Sequence, residues 1–493
     1  MGIIKVNNLT FGHEGKSEEL FKEVSFQIDT NWKLGLIGRN GRGKTTLMKL
    51  LKGELEYRGS ITKTVEVDYF PFEVKNKEFL TIDVAEDIID EFELWKLNKE
   101  MTFLDLDKEV LYRPFNTLSN GEQTKILLAA LFLKENNFIL IDEPTNHLDI
   151  ETRKKVNEYL NKKSGFILIS HDRDFLDNCV DHIMSINKAN IDIQKGHYTS
   201  WNENKLRLDN FEFNKNEKLK KDIKSLEKAA KRTSNWSDKV EKTKIGGGPC
   251  DRGAIGHKAA KMMKRSKAIE ERVSRAIEEK KGLLKNIENK EALKISADDY
   301  HKEKLIEAKN VSIKYYDKEI FEKVSFEVNK GDRICIIGKN GTGKSSLIKA
   351  ILGENIDYTG DIFIEKNIKI SYINQEVELE KEKLDEYAER NDIDRTLLKT
   401  ILRKLGFERE KFDEYICNFS DGQKKKVELA RSLCNKAHIY VWDEPFNYLD
   451  IISREQLERL INDSNATFIF VEHDIRFIEN VGTKRVTIKS TDN

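Results

Sequence analysis

The sequence predicts an α/β protein built from two copies of one domain, with a helical segment of different character between them. Repetition is the first observation. Gly38-Arg-Asn-Gly-Arg-Gly-Lys-Thr45 recurs as Gly338-Lys-Asn-Gly-Thr-Gly-Lys-Ser345, and Leu118-Ser-Asn-Gly-Glu-Gln123 as Phe419-Ser-Asp-Gly-Gln-Lys424. Asp142-Glu143-Pro144 recurs as Asp443-Glu444-Pro445, and His171-Asp172 as His473-Asp474. The order is kept and the offsets run only from 300 to 302 residues, so each half is a whole domain. The second observation is alternation of short apolar runs with helical patterns. Lys33-Leu-Gly-Leu-Ile37 and Arg333-Ile-Cys-Ile-Ile337 run into glycine, and Phe138-Ile-Leu-Ile141 and Ile439-Tyr-Val-Trp442 run into Asp-Glu. Gly165-Phe-Ile-Leu-Ile-Ser170 and Ala466-Thr-Phe-Ile-Phe-Val471 precede the histidines. Continuous apolar strands between helices indicate a mainly parallel sheet covered on both faces.

The third observation is the middle of the chain. Lys205 to Lys290 holds 25 Lys and Arg against 13 Asp and Glu, although the whole chain is formally neutral. Leu219, Ile223, Leu226 and Ala230 fall at helical spacing, as do Ile269, Val273, Ala276, Leu283 and Ile287. Both read as helices with narrow apolar seams. Ile245-Gly-Gly-Gly-Pro-Cys250 breaks the helix between them. The expected element is an antiparallel helical hairpin reaching ~60 Å for ~40 residues per arm. The domains expected are 1–200, 201–304 and 305–493.

Composition narrows the classes of function. Charged residues make up 35 %, above the usual quarter or so, which the solvated middle segment explains. The five cysteines form no CxxC pair, so zinc and disulfide frameworks are not expected, and a reducing cytoplasm is the expected home. No signal-peptide pattern opens the chain, Val6 breaks the myristoylation pattern after Gly2, and no apolar run approaches ~20 residues. No membrane association is expected.

GxxxxGK[ST] between an apolar strand and an apolar helix is a phosphate cradle. Its glycines let successive backbone N–H groups point at phosphate oxygens. Gly38, Asn40, Gly41, Gly43, Lys44, Thr45 and Thr46 form one cradle, and Gly338, Asn340, Gly341, Gly343, Lys344, Ser345 and Ser346 the other. Lys44 and Lys344 are expected on the β- and γ-phosphates of ATP, and Thr45 and Ser345 on Mg²⁺. Asp142 and Asp443, ending apolar strands, are expected to bind Mg²⁺, partly through water. Glu143 and Glu444 would polarise the attacking water.

These motifs, with Leu148-Asp149 and Leu449-Asp450 after them, together resemble the ABC ATPase cassette over nearly all of residues 1–200 and 305–493. The fold class implied is two tandem ABC-type P-loop ATPase cassettes joined by a long antiparallel α-helical hairpin. In that family each ATP lies between the Gly-rich loop of one cassette and the signature of the other. The resemblance therefore sets Lys44 against Ser420 and Gly422, and Lys344 against Ser119 and Gly121. It makes His171 and His473 switch histidines and Gln375 a further Mg²⁺ contact, and it implies an intramolecular cassette pair acting as a monomer. The adenine-stacking position falls on Tyr315 but on His13 in the first half, with Phe11 expected in the core. Gln375 aligns with Phe72, and Asn120 and Asp421 replace a signature glycine. The two sites are therefore expected to differ in rate.

Tandem cassettes, Thr145-Asn-His-Leu-Asp149 and a basic linker resemble the ABC-F proteins. Asn31-Trp-Lys-Leu-Gly-Leu-Ile-Gly-Arg-Asn40, Thr124-Lys-Ile-Leu-Leu128 and Trp442-Asp-Glu-Pro-Phe-Asn-Tyr-Leu-Asp450 look like its antibiotic-resistance subgroup, which acts on lincosamides, pleuromutilins and group A streptogramins. The resemblance implies binding at the tRNA exit site, with large-subunit rRNA and peptidyl-site tRNA as partners. It also implies insertion of the linker toward the peptidyl-transferase centre. Lys231 to Lys267 carries 11 basic against 3 acidic residues, which suits phosphate neutralisation. Trp236, Lys242, Lys244, Ile245, Arg252, Ile255 and Lys258 are the expected contacts to RNA or the drug site. Residues 73–117 are no longer than their second-half counterpart, so the large Arm insertion of some ABC-F proteins is expected to be absent or short. A housekeeping ABC-F translation factor is the alternative. A third reading is an ATPase serving a membrane transporter, where the basic linker has no role, or DNA, whose ATPases insert their coiled coil inside one cassette and not between two.

Overall fold

The computed structural model describes residues 2–12, 19–89, 91–146, 148–187, 190–242, 293, 295, 297–315, 318–375 and 380–491. The chain divides into two compact units, Met1–Thr199 with Lys290–Asn493, and Ser200–Asn289. Both halves of the duplication lie in the first unit.

In the first half, Glu66–Phe70, Asn137–Asp142, Phe166–Ile169, Lys33–Ile37 and His182–Ile186 pair in that order as a parallel sheet. Ile191–Lys195 closes its edge antiparallel. In the second half, Ile370–Ile373, Ile439–Asp443, Thr467–Val471, Arg333–Ile337 and Lys484–Thr487 form the corresponding all-parallel sheet. Their apolar runs carry no alternation because both faces are covered. Ile439 to Trp442 are fully buried, and Phe138 to Ile141 nearly so. Each half adds a smaller antiparallel sheet. Ile3–Phe11 pairs with Phe21–Asp29 and Arg58–Lys63, and Lys304–Tyr315 with Val324–Asn329 and Tyr358–Ile364. Helices Thr81–Ile88 and Leu94–Phe103, and Leu384–Arg390 and Arg395–Lys404, occupy the space between Gly-rich loop and signature. Phe11 is a core residue, as expected.

The register aligns the chemistry. Asp142 stands beside Ile169, and Asp443 beside Val471, at the carboxyl ends of neighbouring parallel strands. The strand leading into each Gly-rich loop pairs with the strand leading into each histidine. Loop, Asp-Glu pair and histidine therefore converge at one sheet end, where ligands of open α/β sheets bind.

In the second unit the described element is helix Tyr198–Lys242, which begins at the end of the first unit. On its seam Ile223 is buried and Leu219 half-buried, while Leu208 and Phe211 are exposed. The side chains of Leu226, Ala230, Trp236 and Lys242 lie outside the described residues. So do Lys244, Ile245, Arg252, Ile255, Lys258, the Gly-Gly-Gly-Pro break and the seam from Ile269. No helix among the described residues is long and apolar enough to cross a membrane.

Candidate functional site

Both Gly-rich loops turn into helices, Lys44–Lys52 and Lys344–Ile351, through Gly43 at φ 85° and Gly343 at φ 84°. That left-handed geometry favours glycine. The lysines then fold back into their own loops. Lys44 Nζ donates to Gly38 O at 2.8 Å and to Asn40 Oδ1 at 3.2 Å, and Lys344 Nζ to Gly338 O at 3.0 Å and Lys339 O at 2.8 Å. Both ammonium groups are buried, and burial lowers both pKa values. Two buried cations hydrogen-bonded to neutral oxygens beside helix N-termini fit a phosphate chain.

The Asp-Glu pairs sit beside these lysines. Asp142 Oδ2 accepts from Thr45 Oγ1 at 2.9 Å and from the Tyr69 hydroxyl at 2.7 Å. Asp443 is fully buried, neither of its carboxylate oxygens has a hydrogen-bond partner, and burial pushes its carboxyl up to about 6. An orphaned buried carboxylate beside the Ser345 loop fits a hard divalent cation. With nucleotide bound, Mg²⁺ there would neutralise phosphate charge. Thr45 with Asp142, and Ser345 with Asp443, are the residues that would hold it.

Glu143 and Glu444 adopt φ of 50° and 46°, a strained region for glutamate, and both halves keep it. Each carboxylate faces its histidine. Glu143 Oε1 lies 3.3 Å from His171 Nε2, and Glu444 Oε1 lies 3.5 Å from His473 Nε2. Burial lowers both imidazole pKa values, that of His171 farther, with the Lys44 charge adding to it. The glutamates differ. Burial, with Asp142 adjacent, pushes the Glu143 carboxyl up to about 8. For Glu444 burial also pushes upward. The facing His473, the Lys344 charge and the Asn447 amide outweigh it and bring Glu444 to about 2. Glu444 Oε2 accepts from Asn447 Nδ2 at 2.6 Å and Gln375 Nε2 at 3.1 Å. Gln375 therefore points at Glu444, and Tyr69 reaches Asp142 where Phe72 cannot.

The halves meet Gly-rich loop to the segment after the opposite Asp-Glu pair. Asn40 Nδ2 donates to Tyr448 O at 2.9 Å, and the Asn40 N–H lies 3.4 Å from Asp450 Oδ2. Gly422 backs this contact. A Cβ there would lie 2.5 Å from Tyr448 O and 2.9 Å from Asn40 Nδ2. On the other side the Asn340 N–H lies 3.4 Å from Asp149 Oδ2, and Lys339 pairs with Glu151 at 2.8 Å. Asp149 and Asp450 each use Oδ1 to cap their own helix, at Thr152 N and Ser453 N, and Oδ2 to face the opposite loop. Although buried, Asp450 stays well below the ordinary carboxylate range, held there by Lys426 and Lys44.

The signature serines, Ser119 and Ser420, are exposed N-caps of helices Asn120–Leu131 and Asp421–Cys434. Gly121 is half-buried, and so are Thr46 and Ser346. Asp421 is exposed and turned toward Lys424. Tyr315 is half-exposed, its hydroxyl 3.1 Å from Ser346 Oγ, and His13 lies outside the described residues.

The sequence-family model described as ABC transporter matches residues 21–146 and 321–447, one span per half. The chain belongs to the ABC transporter family. This ABC protein is an ATPase. Along its length it is 28 % identical to the ribosome protection protein VmlR of Bacillus subtilis (strain 168), over 99 % of this chain and 87 % of the relative. It is 29 % identical to the ATP-binding protein Uup of Buchnera aphidicola subsp. Acyrthosiphon pisum (strain APS), over 98 % and 80 %. ABC transporter F family member 5 of Arabidopsis thaliana is 25 % identical over 99 % and 75 %. Among solved structures, the archaeal ribosome recycling factor aABCE1 in complex with stalk protein aP1 superposes with TM-score 0.64 at 18 % identity, covering 97 % of this chain and 87 % of that one. The RNase-L Inhibitor gives 0.63 at 19 %, covering 98 % and 87 %. These likenesses extend the shared fold over the whole ABC pair.

Three positioning groups escaped the motif reading: Tyr69, Lys425 and Glu472. The lysine did leave a signal. Lys425 and Lys426 stand four residues before buried Leu429 and Ala430 on one helix, where a solvated lysine does not belong.

Proposed function

We propose that this ABC ATPase is of the ABC-F type and uses ATP to bind the ribosome and protect it from antibiotics of the peptidyl-transferase centre. The observation that carries the reading is the approach of Asn40 to Tyr448 and Asp450. It supports a nucleotide clamp that joins Lys44 to Ser420 and Gly422, and Lys344 to Ser119 and Gly121. The cassettes are assigned to 1–200 and 305–493, with a basic linker at 201–304. Glu143 and Glu444 polarise the attacking water, and His171 and His473 hold the γ-phosphate side of the clamp. Binding of γ-phosphate favours closure, and its loss favours opening. The surplus of basic charge between Lys205 and Lys290 is suited to rRNA and tRNA phosphates. The ribosome protection role borne by VmlR's name, and the F-family name of the Arabidopsis relative, support the same direction.

The test is co-sedimentation of the Glu143→Gln/Glu444→Gln variant with ribosomes, with and without ATP. ATP-dependent binding is expected, and its absence refutes the reading. Deleting residues 235–259 should abolish drug protection in cells and leave intrinsic ATPase. Ribosome binding with unchanged drug susceptibility would instead identify a housekeeping translation factor.

A further inference from the structure

The two ATP sites are not copies of each other at their back wall. In the second half, Lys425 is 2 % exposed in the middle of helix Asp421–Cys434. Its ammonium donates to Asn374 O at 3.0 Å, Gln375 O at 3.2 Å and Asp443 O at 3.4 Å. It thus ties the end of strand Ile370–Ile373 to the end of strand Ile439–Asp443. The residue so held, Gln375, uses its side chain on Glu444. Glu472, 4 % exposed, is the acidic counterpart. Its Oε1 accepts from Phe446 N and its Oε2 from His473 N, each at 3.0 Å. One buried carboxylate therefore joins the loop after Asp443-Glu444 to the histidine facing Glu444.

The repeat puts Thr124 and Ser170 at these two positions in the first half. Ser170 Oγ accepts from Asp172 N at 3.1 Å and lies 3.3 Å from Thr145 Oγ1. This neutral pair joins the loop after Asp142-Glu143 to the His171 segment without a buried charge, and the first half has Phe72 where Gln375 would be. The charged residues and the glutamine thus occur together in one half and are both absent from the other. An unneeded buried lysine is costly, since desolvating its charge must be offset by fixed acceptors.

We propose that Lys425 is a positioning residue of the second ATP site, holding Gln375 against Glu444, with Glu472 as its compensating partner that fixes the His473 segment. Lys425 touches neither substrate nor reacting atoms. It acts through the backbone of Gln375 and Asp443, so its loss loosens the geometry of the water-polarising carboxylate more than it weakens ATP binding. The proposal depends on the ATPase activity alone and stands apart from any ribosomal role.

The experiment uses the full chain carrying Glu143→Gln, so that turnover reports the second site. Lys425→Thr is expected to lower kcat about tenfold or more, as small misplacements in a site do, with KM for ATP moving less than about threefold. Lys425→Gln, whose amide still donates to carbonyls, is expected to retain more of the activity. Lys425→Thr/Glu472→Ser, which copies the first half, removes both buried charges. It should recover the melting temperature without recovering kcat, and it serves if the single variant fails to fold. With Gln375→Ala already present, Lys425→Thr should add less than about twofold, because the two act as one unit. Recovery of both stability and kcat in the paired variant would reduce Lys425 to a packing residue and overturn the proposal. So would a full tenfold loss in the Gln375→Ala background.

Discussion

The Asn40 side chain donates to Tyr448 O at 2.9 Å while its oxygen accepts from Lys44 Nζ at 3.2 Å. One amide therefore connects Lys44 of the first Gly-rich loop to the loop after Asp443-Glu444 in the second cassette. Asn40→Ala removes the bond across the halves together with the contact to Lys44, a loss of at least about 1 kcal/mol. The ATP concentration for half-maximal turnover is expected to rise about fivefold, as a loss of that size implies. Steady-state ATPase titrations check it, and an unchanged midpoint would mean that the contact does not report closure.

The glutamates face the histidines in both halves, and each is proposed to polarise the attacking water. Glu143→Gln/Glu444→Gln should lower ATPase by about a hundredfold or more, the size expected on losing a general base. Bound ATP should be retained. Phosphate release and retention of labelled ATP measure this, and wild-type turnover would remove both residues from the mechanism.

Glu143 supplies a pH signature. Its folded pKa, about 8, lies above the unfolded value, so the protonated form is the one the fold prefers. Ionisation thus costs stability as pH rises from the unfolded pKa, near 4.3, toward about 8, and the cost is absent below that range. Glu143→Gln, neutral throughout, should melt above the wild type by a margin that widens between pH 5 and pH 8.5. Nucleotide-free melting curves across that range decide it, and a constant margin would count against a buried, protonated Glu143.

Arg173 of the first cassette holds Glu458 of the second through both guanidinium nitrogens, and both residues are buried. Removing one partner strands the other charge. Arg173→Ala should cost about 3–5 kcal/mol, and Arg173→Met/Glu458→Met much less, because apolar replacement of a whole buried pair is often close to neutral. Denaturant unfolding compares the two. Equal losses would show that the pair is solvated in the working protein.

Much of the site was legible because its motifs are local. Gly43 and Gly343 follow from a turn that only a few residues define, and Asp142 and Asp443 from apolar runs that end in acid. Phe11 was placed in the core by the same patterning. Tyr69 was not legible as a partner of Asp142. Its neighbour Phe72 occupies the aligned position, and only the pairing of two strands brings the hydroxyl of Tyr69 to the carboxylate. Lys425 stands in the sequence among three consecutive lysines, and only the burial of its helix face sets it apart.

By itself the sequence determined the duplication, the two Gly-rich turns, the carboxylates at the strand ends and the basic charge of the middle segment. These depend on residue type and short spacing, which strand and helix periods convert directly into position. Tertiary structure alone decided that Asn40 meets Tyr448, that Lys425 is buried under Gln375, and that burial raises the Glu143 carboxyl while Lys344 and Asn447 hold that of Glu444 down. Such properties arise from burial and from charges brought close through space, and residues hundreds of positions apart carry no mark of that proximity in their order.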